Sequence, residues 1–301
     1  MTLRICLAIL ISLCVLTEAC KNDHRMGRRA RAERKAKMDS AAAASAGTGS
    51  VSAATGSDAS AAASTSGNID SSPAAAKSPD DDYPASMTEV SSECRSLVAG
   101  IDISHWDGTI NWSEVNGESI YFVYMKATEG TDFIDPSFEE NWNGIRSTSL
   151  RRGAYLFYDP GLSAADQTVQ AQTFIHTVKD LQDGDLPPML DVEDDPEISV
   201  AVFQARLLLV ARQIRNHFNV SPIIYTTTGL YKKYLKPKDS FQSYELWIAD
   251  YRYKRPELCD KKNMRIWQFT DKARIKGISS PVDMDIFYTT PEDLENLIVR
   301  K

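Results

Sequence analysis

The sequence predicts an α/β fold, an irregular TIM-like barrel that follows a long N-terminal stretch of different composition. From residue 95 onward, short apolar runs recur, and the early ones alternate with amphipathic stretches. After the sixth apolar run, the intervening stretches contain no convincing helical pattern. We therefore expect eight strands and about five helices, with the last part of the barrel closed by plain β connections.

Residues 1–19 have the pattern of an export signal. Arg4 supplies the positive charge, and residues 5–16 form an apolar run that is too short to span a bilayer but suits the core of a signal peptide. Residues 16–20 resemble a bacterial lipobox, although Glu18 departs from the usual pattern. We expect cleavage before Cys20, and the product is an exported lipoprotein if a lipid is then attached there.

The cysteine count favours a lipid on Cys20. The signal removes two of the five cysteines, which leaves Cys20, Cys94 and Cys259, an odd number for an exported protein. If Cys20 carries a lipid, Cys94 and Cys259 are free to form a disulfide, since each lies just before a predicted strand. The alternative is cleavage without lipid attachment, which gives a secreted soluble protein.

The side chains of the next two segments are too polar or too small to form a hydrophobic core. Residues 20–38 would hold the lipid and a basic tether, either solvated or in contact with anionic headgroups. Residues 39–94, rich in Ala, Ser and Gly at first, are expected to be a disordered linker, and 95–301 the barrel. The formal net charge of −7 argues against nucleic acid as a partner.

The strands are predicted from short runs of apolar residues, and the helices are predicted from the spacing at which apolar residues recur. The strands are expected at 98–104, 121–127, 153–158, 189–193, 222–226, 246–250, 266–269 and 282–287. The clearest helix is 200–218, where apolar residues recur at spacings of four and three; 164–181, with Ser163 as its N-cap, and 138–147 are further helices.

The acidic candidates for catalysis fall on three of these strands. Asp191 and Glu193 end the fourth strand at spacing i, i+2, so they share a face, and two adjacent carboxylates favour a proton on one of them. Asp102 lies in the first strand, and Asp283 and Asp285 lie in the eighth. An isolated pair such as Asp191 and Glu193 is more often a solvated loop, but barrel chemistry gathers at the C-terminal strand ends. A paired acid and carboxylate is what glycoside hydrolysis requires.

Seven motifs in order resemble the glycoside hydrolase family 25 lysozymes, the cellosyl-type muramidases. They are Gly100-Ile-Asp-Ile-Ser104, Lys126-Ala-Thr-Glu-Gly130, Gly153-Ala-Tyr-Leu-Phe157, Leu190-Asp-Val-Glu193, Trp247-Ile-Ala-Asp-Tyr251, Trp267-Gln-Phe-Thr270, and Gly277-Ile-Ser with Val282-Asp-Met-Asp-Ile-Phe287. The resemblance implies a (β/α)5(β)3 barrel. It also implies cleavage of the β-1,4 bond between N-acetylmuramic acid and N-acetylglucosamine in peptidoglycan, without a metal or other cofactor, by what we expect to be a monomer.

The resemblance also implies roles for individual residues. Glu193 would be the general acid, and Asp191, Asp102 and Asp283 would line the cleft and stabilise positive charge on the sugar. Whether an aspartate or the substrate's own N-acetyl group attacks the anomeric carbon stays open. The family often has His where Leu156 stands, so we expect a polar contact of the third strand to be missing.

Further residues are candidates for contact with the substrate. Aromatic rings near strand ends suit sugar binding, and the candidates are Tyr158, Tyr225, Trp247 and Tyr251, although Tyr225 and Trp247 could equally pack the core. Asp285, where the family commonly has Asn, is a fifth candidate. The histidines form no metal-ligand pattern.

Two other functions remain open from the sequence. A relative that binds peptidoglycan without cutting it would have no reason to keep all four acids. A chitinase barrel would be expected to carry a D-x-x-D-x-D-x-E run, which this sequence lacks.

Overall fold

The computed structural model describes residues 83–90, 98–236, 239–254, 256, 263–288 and 290–301. All of these residues belong to one compact unit. The predicted signal, the lipid site Cys20, most of the linker, and the predicted disulfide partners Cys94 and Cys259 lie outside the described residues. No helix in the described ranges is both long enough and apolar enough to cross a membrane.

The strands within these ranges form one sheet. They are β1 (Val98–Ile103), β2 (Phe122–Glu129), β3 (Phe133–Ile134), β4 (Arg151–Phe157), β5 (Met189–Val192), β6 (Ile223–Thr227), β7 (Leu246–Ala249), β8 (Met264–Ala273) and β9 (Val282–Phe287). Their order is β1-β9-β8-β7-β6-β5-β4-β2-β3, and β1 also pairs with β2. This extra pairing closes eight strands into a barrel, while β3 is an antiparallel addition to the end of β2. The predicted irregular barrel is confirmed.

Helices connect most of the parallel strands on the outside of the barrel, and one short helix follows the last strand. They are α1 (Trp112–Val115), α2 (Phe138–Gly144), α3 (Ala164–Val178), α4 (Val200–Phe218), α5 (Thr228–Leu230), which continues into a π-helical turn (Tyr231–Leu235), and α6 (Pro291–Glu295). Both long helices begin at the predicted residues. Ser163 is the predicted N-cap of α3, and the Ser163 and Ser199 side chains accept hydrogen bonds from backbone amides of the first turn. Helix α3 ends three residues before the predicted position 181, at the positive-φ residue Lys179.

The direction of β9 decides which residues share an end of the barrel. All neighbouring strands from β1 through β2 and β4 to β8 run parallel, whereas β9 is antiparallel to both β8 and β1. The start of β9 therefore lies at the same end as the C-terminal ends of the parallel strands. This is the end where barrel enzymes carry their active sites.

Side chains alternate between the two faces of each strand, so the apolar residues form two separate clusters. An inner cluster fills the barrel and includes Val98, Phe122, Tyr124, Trp247 and Phe287. Glycines make room for its rings: a Cβ on Gly100 would lie 2.2 Å from the Phe122 ring, and one on Gly153 would lie 2.3 Å from the Tyr124 ring. The barrel interior is therefore packed at its base, and only its upper end is available for polar side chains.

An outer cluster lies between the strands and the helices. Leu156 belongs to it and is fully buried, so its side chain points away from the barrel interior. The sequence predicts that a polar contact of the third strand is missing here, and the structure shows that this position faces the helices.

The folded unit begins earlier than the predicted boundary at residue 95. Val90 is fully buried in the outer cluster, and Met87 packs against the same cluster. Residues 83–90 therefore belong to the packed part of the chain, because these apolar side chains bury surface that a linker would leave in water.

Candidate active site

The four acids predicted to act in catalysis lie at the same end of the barrel. Asp102 is the fifth residue of β1, Asp191 is the third residue of β5, and Glu193 directly follows β5. Asp283 is the second residue of the antiparallel strand β9 and is the register partner of Asp102. The closed barrel thus brings together acids that are up to 181 residues apart in the chain.

Two tyrosines stand among these acids, Tyr225 buried and Tyr251 partly exposed. Burial raises the pKa of Tyr225 well above its usual value. The charge of Glu193 and, to a smaller extent, those of Asp191 and Asp102 raise this pKa further. Burial likewise raises the pKa of Tyr251, and there Asp283 contributes most among the charges. Both phenols therefore keep their protons and act as hydrogen-bond donors in this site.

Gln268, on β8, links the two tyrosines to one of the acids. Its Nε2 donates to Asp102 Oδ2 at 2.7 Å, and its Oε1 accepts from the Tyr225 hydroxyl at 2.8 Å and the Tyr251 hydroxyl at 3.0 Å. The orientation of the amide follows from these partners, because a carboxylate can only accept and a neutral phenol donates. The sequence analysis did not single out Gln268, although a polar residue between Trp267 and Phe269 in a buried strand was a signal for it.

The Tyr225 hydroxyl lies between Glu193 and Gln268. It is 3.0 Å from Glu193 Oε1 and 2.8 Å from Gln268 Oε1, and it can donate its single hydrogen to either oxygen. Through Gln268, which donates to Asp102, a hydrogen-bond relay connects Glu193 with Asp102.

Asp285 lies beneath this group. It is fully buried, and its Oδ1 accepts from the Trp247 indole at 3.0 Å. Burial first, and then the charges of Asp102 and Asp283, raise the pKa of Asp285 well above its usual range. Its Oδ2 has no hydrogen-bond partner among the described residues. The raised pKa favours the neutral form of this carboxyl group.

The residues predicted to touch the sugar differ in their exposure. Trp247 is fully buried and packs edge-to-face against Tyr124, with ring centroids 5.0 Å apart, and against Tyr225 at 5.6 Å. Tyr225 and Asp285 are also buried, whereas Tyr251 is partly exposed. Trp247 thus has the core role that the sequence left open, and Tyr251 is the aromatic ring best placed to meet a ligand; sugar contact by these residues stays a prediction.

Tyr158 lies on the other side of the sheet. Its ring is fully buried in the outer cluster, and Arg206 on α4 is among the charges that act on its hydroxyl. Strand alternation turns this side chain toward the helices, away from the inner face that carries the acids. In this structure, Tyr158 packs the barrel against its helices.

One wall of the site is built from β2 and its neighbours. The buried ammonium group of Lys126 pairs with Glu129 and lies 4.8 Å from the centroid of the Phe157 ring. Beside them, Asp135 accepts hydrogen bonds from the His105 imidazole at 2.7 Å and from Ser137. These buried contacts hold the loops that follow β1 and β2.

Known proteins resemble this chain in both sequence and structure. A sequence profile of the glycosyl hydrolases family 25 matches residues 101–278, more than half of the chain. The chain belongs to glycosyl hydrolase family 25. It is therefore a glycoside hydrolase, and Asp102, Asp191 and Glu193 lie within the matched stretch, while Asp283 follows shortly after it.

Relatives of this family 25 chain cover its barrel. The Escherichia coli protein YegX is 35% identical over 206 residues, which cover 67% of this chain and 73% of YegX. Lysozyme M1 of Streptomyces globisporus is 30% identical, over 63% of this chain and 67% of the lysozyme. The crystal structure of a bacterial lysozyme from Streptomyces coelicolor superimposes with a TM-score of 0.63 at 28% identity, over 67% of this chain and 97% of the other.

The residues that the structure describes contain no group of three or more His, Cys, Asp or Glu side chains that could hold a metal ion. Catalysis without a metal stays a prediction from the family resemblance, and the acids described above are the groups available for proton transfer.

Proposed function

We propose that this family 25 enzyme hydrolyses the β-1,4 bond between N-acetylmuramic acid and N-acetylglucosamine in peptidoglycan, with Glu193 as general acid. The grouping of Glu193 with Asp191, Asp102 and Asp283 at the active end of the barrel carries this proposal. The likeness to lysozyme M1 supports the substrate class.

The proton on Glu193 is the first requirement of the mechanism. The Tyr225 hydroxyl, 3.0 Å from Glu193 Oε1, holds this carboxyl group in position. In the reaction, Glu193 gives this proton to the glycosidic oxygen while the bond from that oxygen to the anomeric carbon breaks. Water then adds to the anomeric carbon, and the proton that it loses restores Glu193.

The aspartates serve the charge that develops on the sugar. As the bond breaks, positive charge spreads over the anomeric carbon and the ring oxygen, and ionised carboxylates that are already in position stabilise it. Asp191 shares the inner face of β5 with Glu193, and Asp102 accepts a hydrogen bond from Gln268. Asp283 adds a fourth carboxylate opposite Asp102.

Product analysis with a matched pair of variants tests the proposal. Purified peptidoglycan is digested, the new reducing ends are reduced with borohydride, and the reduced sugar is identified. We expect reduced N-acetylmuramic acid, and we expect Glu193→Gln to lower the rate roughly 10²- to 10⁴-fold. Glu197→Gln, an exposed acid in the same loop, is the control and should retain the wild-type rate.

Two results would contradict it. Reduced N-acetylglucosamine as the new end would mean that the other glycosidic bond is cut. A folded wild-type protein that binds peptidoglycan but releases no reducing ends would favour the alternative of a binding barrel without activity.

For the location of the enzyme, we rely on the sequence pattern of residues 1–20. The mature chain would begin at a lipid-bearing Cys20, so that residues 20–38 and the linker 39–94 tether the barrel to a membrane outside the cytoplasm. Mass spectrometry of the protein from its own host tests this, and an unmodified Cys20 thiol would contradict it. A non-reducing peptide map of the same sample would reveal the proposed Cys94–Cys259 disulfide.

A further inference from the structure

Residues 83–90 precede the part of the chain that the family 25 profile matches, yet they pack beside the candidate site. The Tyr83 hydroxyl donates to Asp271 Oδ1 at 2.6 Å. The Lys272 ammonium lies 3.5 Å from the centroid of the Tyr83 ring. Asp271 and Lys272 are close to the C-terminal end of β8, which is the active end of the barrel.

The Tyr83 ring also contacts Tyr251. The two ring centroids are 5.0 Å apart with an interplanar angle of 34°. A contact of this kind holds both rings in defined positions, and aromatic pairs are stabilising beyond the apolar area that they bury. Since one face of Tyr83 is covered by Lys272, Tyr83 supports Tyr251 and offers little open face of its own.

Tyr251 is therefore fixed at two points. Its hydroxyl is held by Gln268, which in turn donates to Asp102. Its ring is held by Tyr83, from a segment outside the matched family region. Without Tyr83, the ring would keep the hydroxyl contact but could rotate about it, so that a flat sugar-binding surface would be lost.

We propose that Tyr83 is a positioning residue of the active site, which holds the partly exposed Tyr251 ring as a platform for a sugar ring of the glycan substrate. This inference rests on the proposed function, because it concerns how the same site holds its substrate. A ring that binds the sugar equally in the ground state and the transition state changes KM more than kcat.

Kinetics of single variants in the full chain test the proposal. With soluble glycan fragments as substrate, Tyr83→Ala should raise KM roughly 5- to 30-fold, the effect typical for loss of an aromatic anchor, with kcat little changed. Tyr83→Phe keeps the ring and should restore most of the affinity. Tyr121→Ala, which removes a half-exposed tyrosine at the start of β2 at the opposite end of the barrel, should match the wild type.

A double-mutant cycle separates action through Tyr251 from a general structural effect. If Tyr83 acts through Tyr251, Tyr83→Ala should add almost nothing in the background of Tyr251→Ala. Additive effects of the two substitutions, or a Tyr83→Ala enzyme with wild-type KM, would overturn the proposal. If Tyr83→Ala fails to fold, Tyr83→Leu supplies an apolar side chain without the aromatic ring and takes its place in the cycle.

Calorimetry keeps this result independent of the proposed reaction. Failure of the proposed function would leave the wild type without cleavage, but the binding of the same glycan fragments can still be measured. Tyr83→Ala should then weaken binding by the same factor relative to the wild type and Tyr121→Ala. Equal affinities of all three proteins would contradict the role of Tyr83.

Discussion

Asp102 and Asp283 stand directly opposite each other on the antiparallel strands β1 and β9. Two like charges in such a pair destabilise the sheet. The pair nevertheless closes the barrel at its active end, with Gln268 donating to one of its members. A destabilising pair at this position is expected where function requires concentrated negative charge.

Substitution of Asp283 should therefore separate activity from stability. Asp283→Asn removes one charge of the pair, so we expect the free energy of unfolding at neutral pH to stay equal or to rise, while kcat falls roughly 10²-fold through loss of transition-state stabilisation. Urea denaturation and the reducing-end assay measure the two effects. Asp183→Asn, an exposed acid elsewhere on the chain, should change neither; a fully active Asp283→Asn enzyme would remove this residue from the mechanism.

Removal of the Tyr225 hydroxyl should interrupt the relay between Glu193 and Gln268. Tyr225→Phe leaves the ring packed against Trp247 but takes away both hydrogen bonds, so we expect kcat to fall roughly 10- to 100-fold. Tyr124→Phe is the matched control, because that buried hydroxyl donates to the Pro187 carbonyl at 3.0 Å. It should lower stability without slowing the reaction, and equal rate losses in the two variants would argue against the relay.

Asp285→Asn should stabilise the protein in a pH-dependent way. The raised pKa means that the folded state keeps a proton that the unfolded state releases above about pH 4, so wild-type stability falls as pH rises from there toward the folded pKa. Asn has no such proton. The difference in unfolding free energy should therefore grow in favour of Asp285→Asn by up to about 1.4 kcal/mol per pH unit above pH 4.

Urea denaturation across a pH series measures this difference. Asn can accept from Trp247 and donate to Asp102, so the variant should also remain active. A variant whose stability relative to the wild type does not change with pH would mean that Asp285 is ionised in the folded protein.

Asp135 should have the opposite pH dependence. Burial by itself would raise its pKa, but hydrogen bonds from His105 and Ser137 outweigh burial and lower the pKa. Its contribution to stability is thus present above about pH 4 and is lost as pH falls through the lowered folded pKa. Asp135→Asn should cost about 1–3 kcal/mol at neutral pH.

Thermal melts of this variant at several pH values test the sign. The deficit relative to the wild type should shrink in acid, where the wild-type Asp135 also becomes protonated. Ser113→Ala, which alters an exposed hydrogen bond to Asn111, should show no such trend. A deficit that grows in acid would contradict the assignment.

Much of the fold could be predicted from local signals. Helix α4 has the predicted bounds because apolar spacing and the Ser199 cap are both local. All eight barrel strands coincide with predicted apolar runs, whereas the two-residue strand β3 is too short to leave a pattern. The packing of residues 83–90 was missed, since only the distant outer cluster gives Val90 a place to be buried.

The sequence by itself determined which acids the site contains, and the spacing of Asp191 and Glu193 on one strand determined that these two share a face. Only the tertiary structure decided their partners. The antiparallel direction of β9 sets Asp283 against Asp102, and Gln268 reaches Asp102 across 166 positions of the chain. Burial likewise separated Trp247 and Tyr158, which pack the core, from Tyr251, which is partly exposed, because exposure depends on neighbours that lie far apart in the sequence.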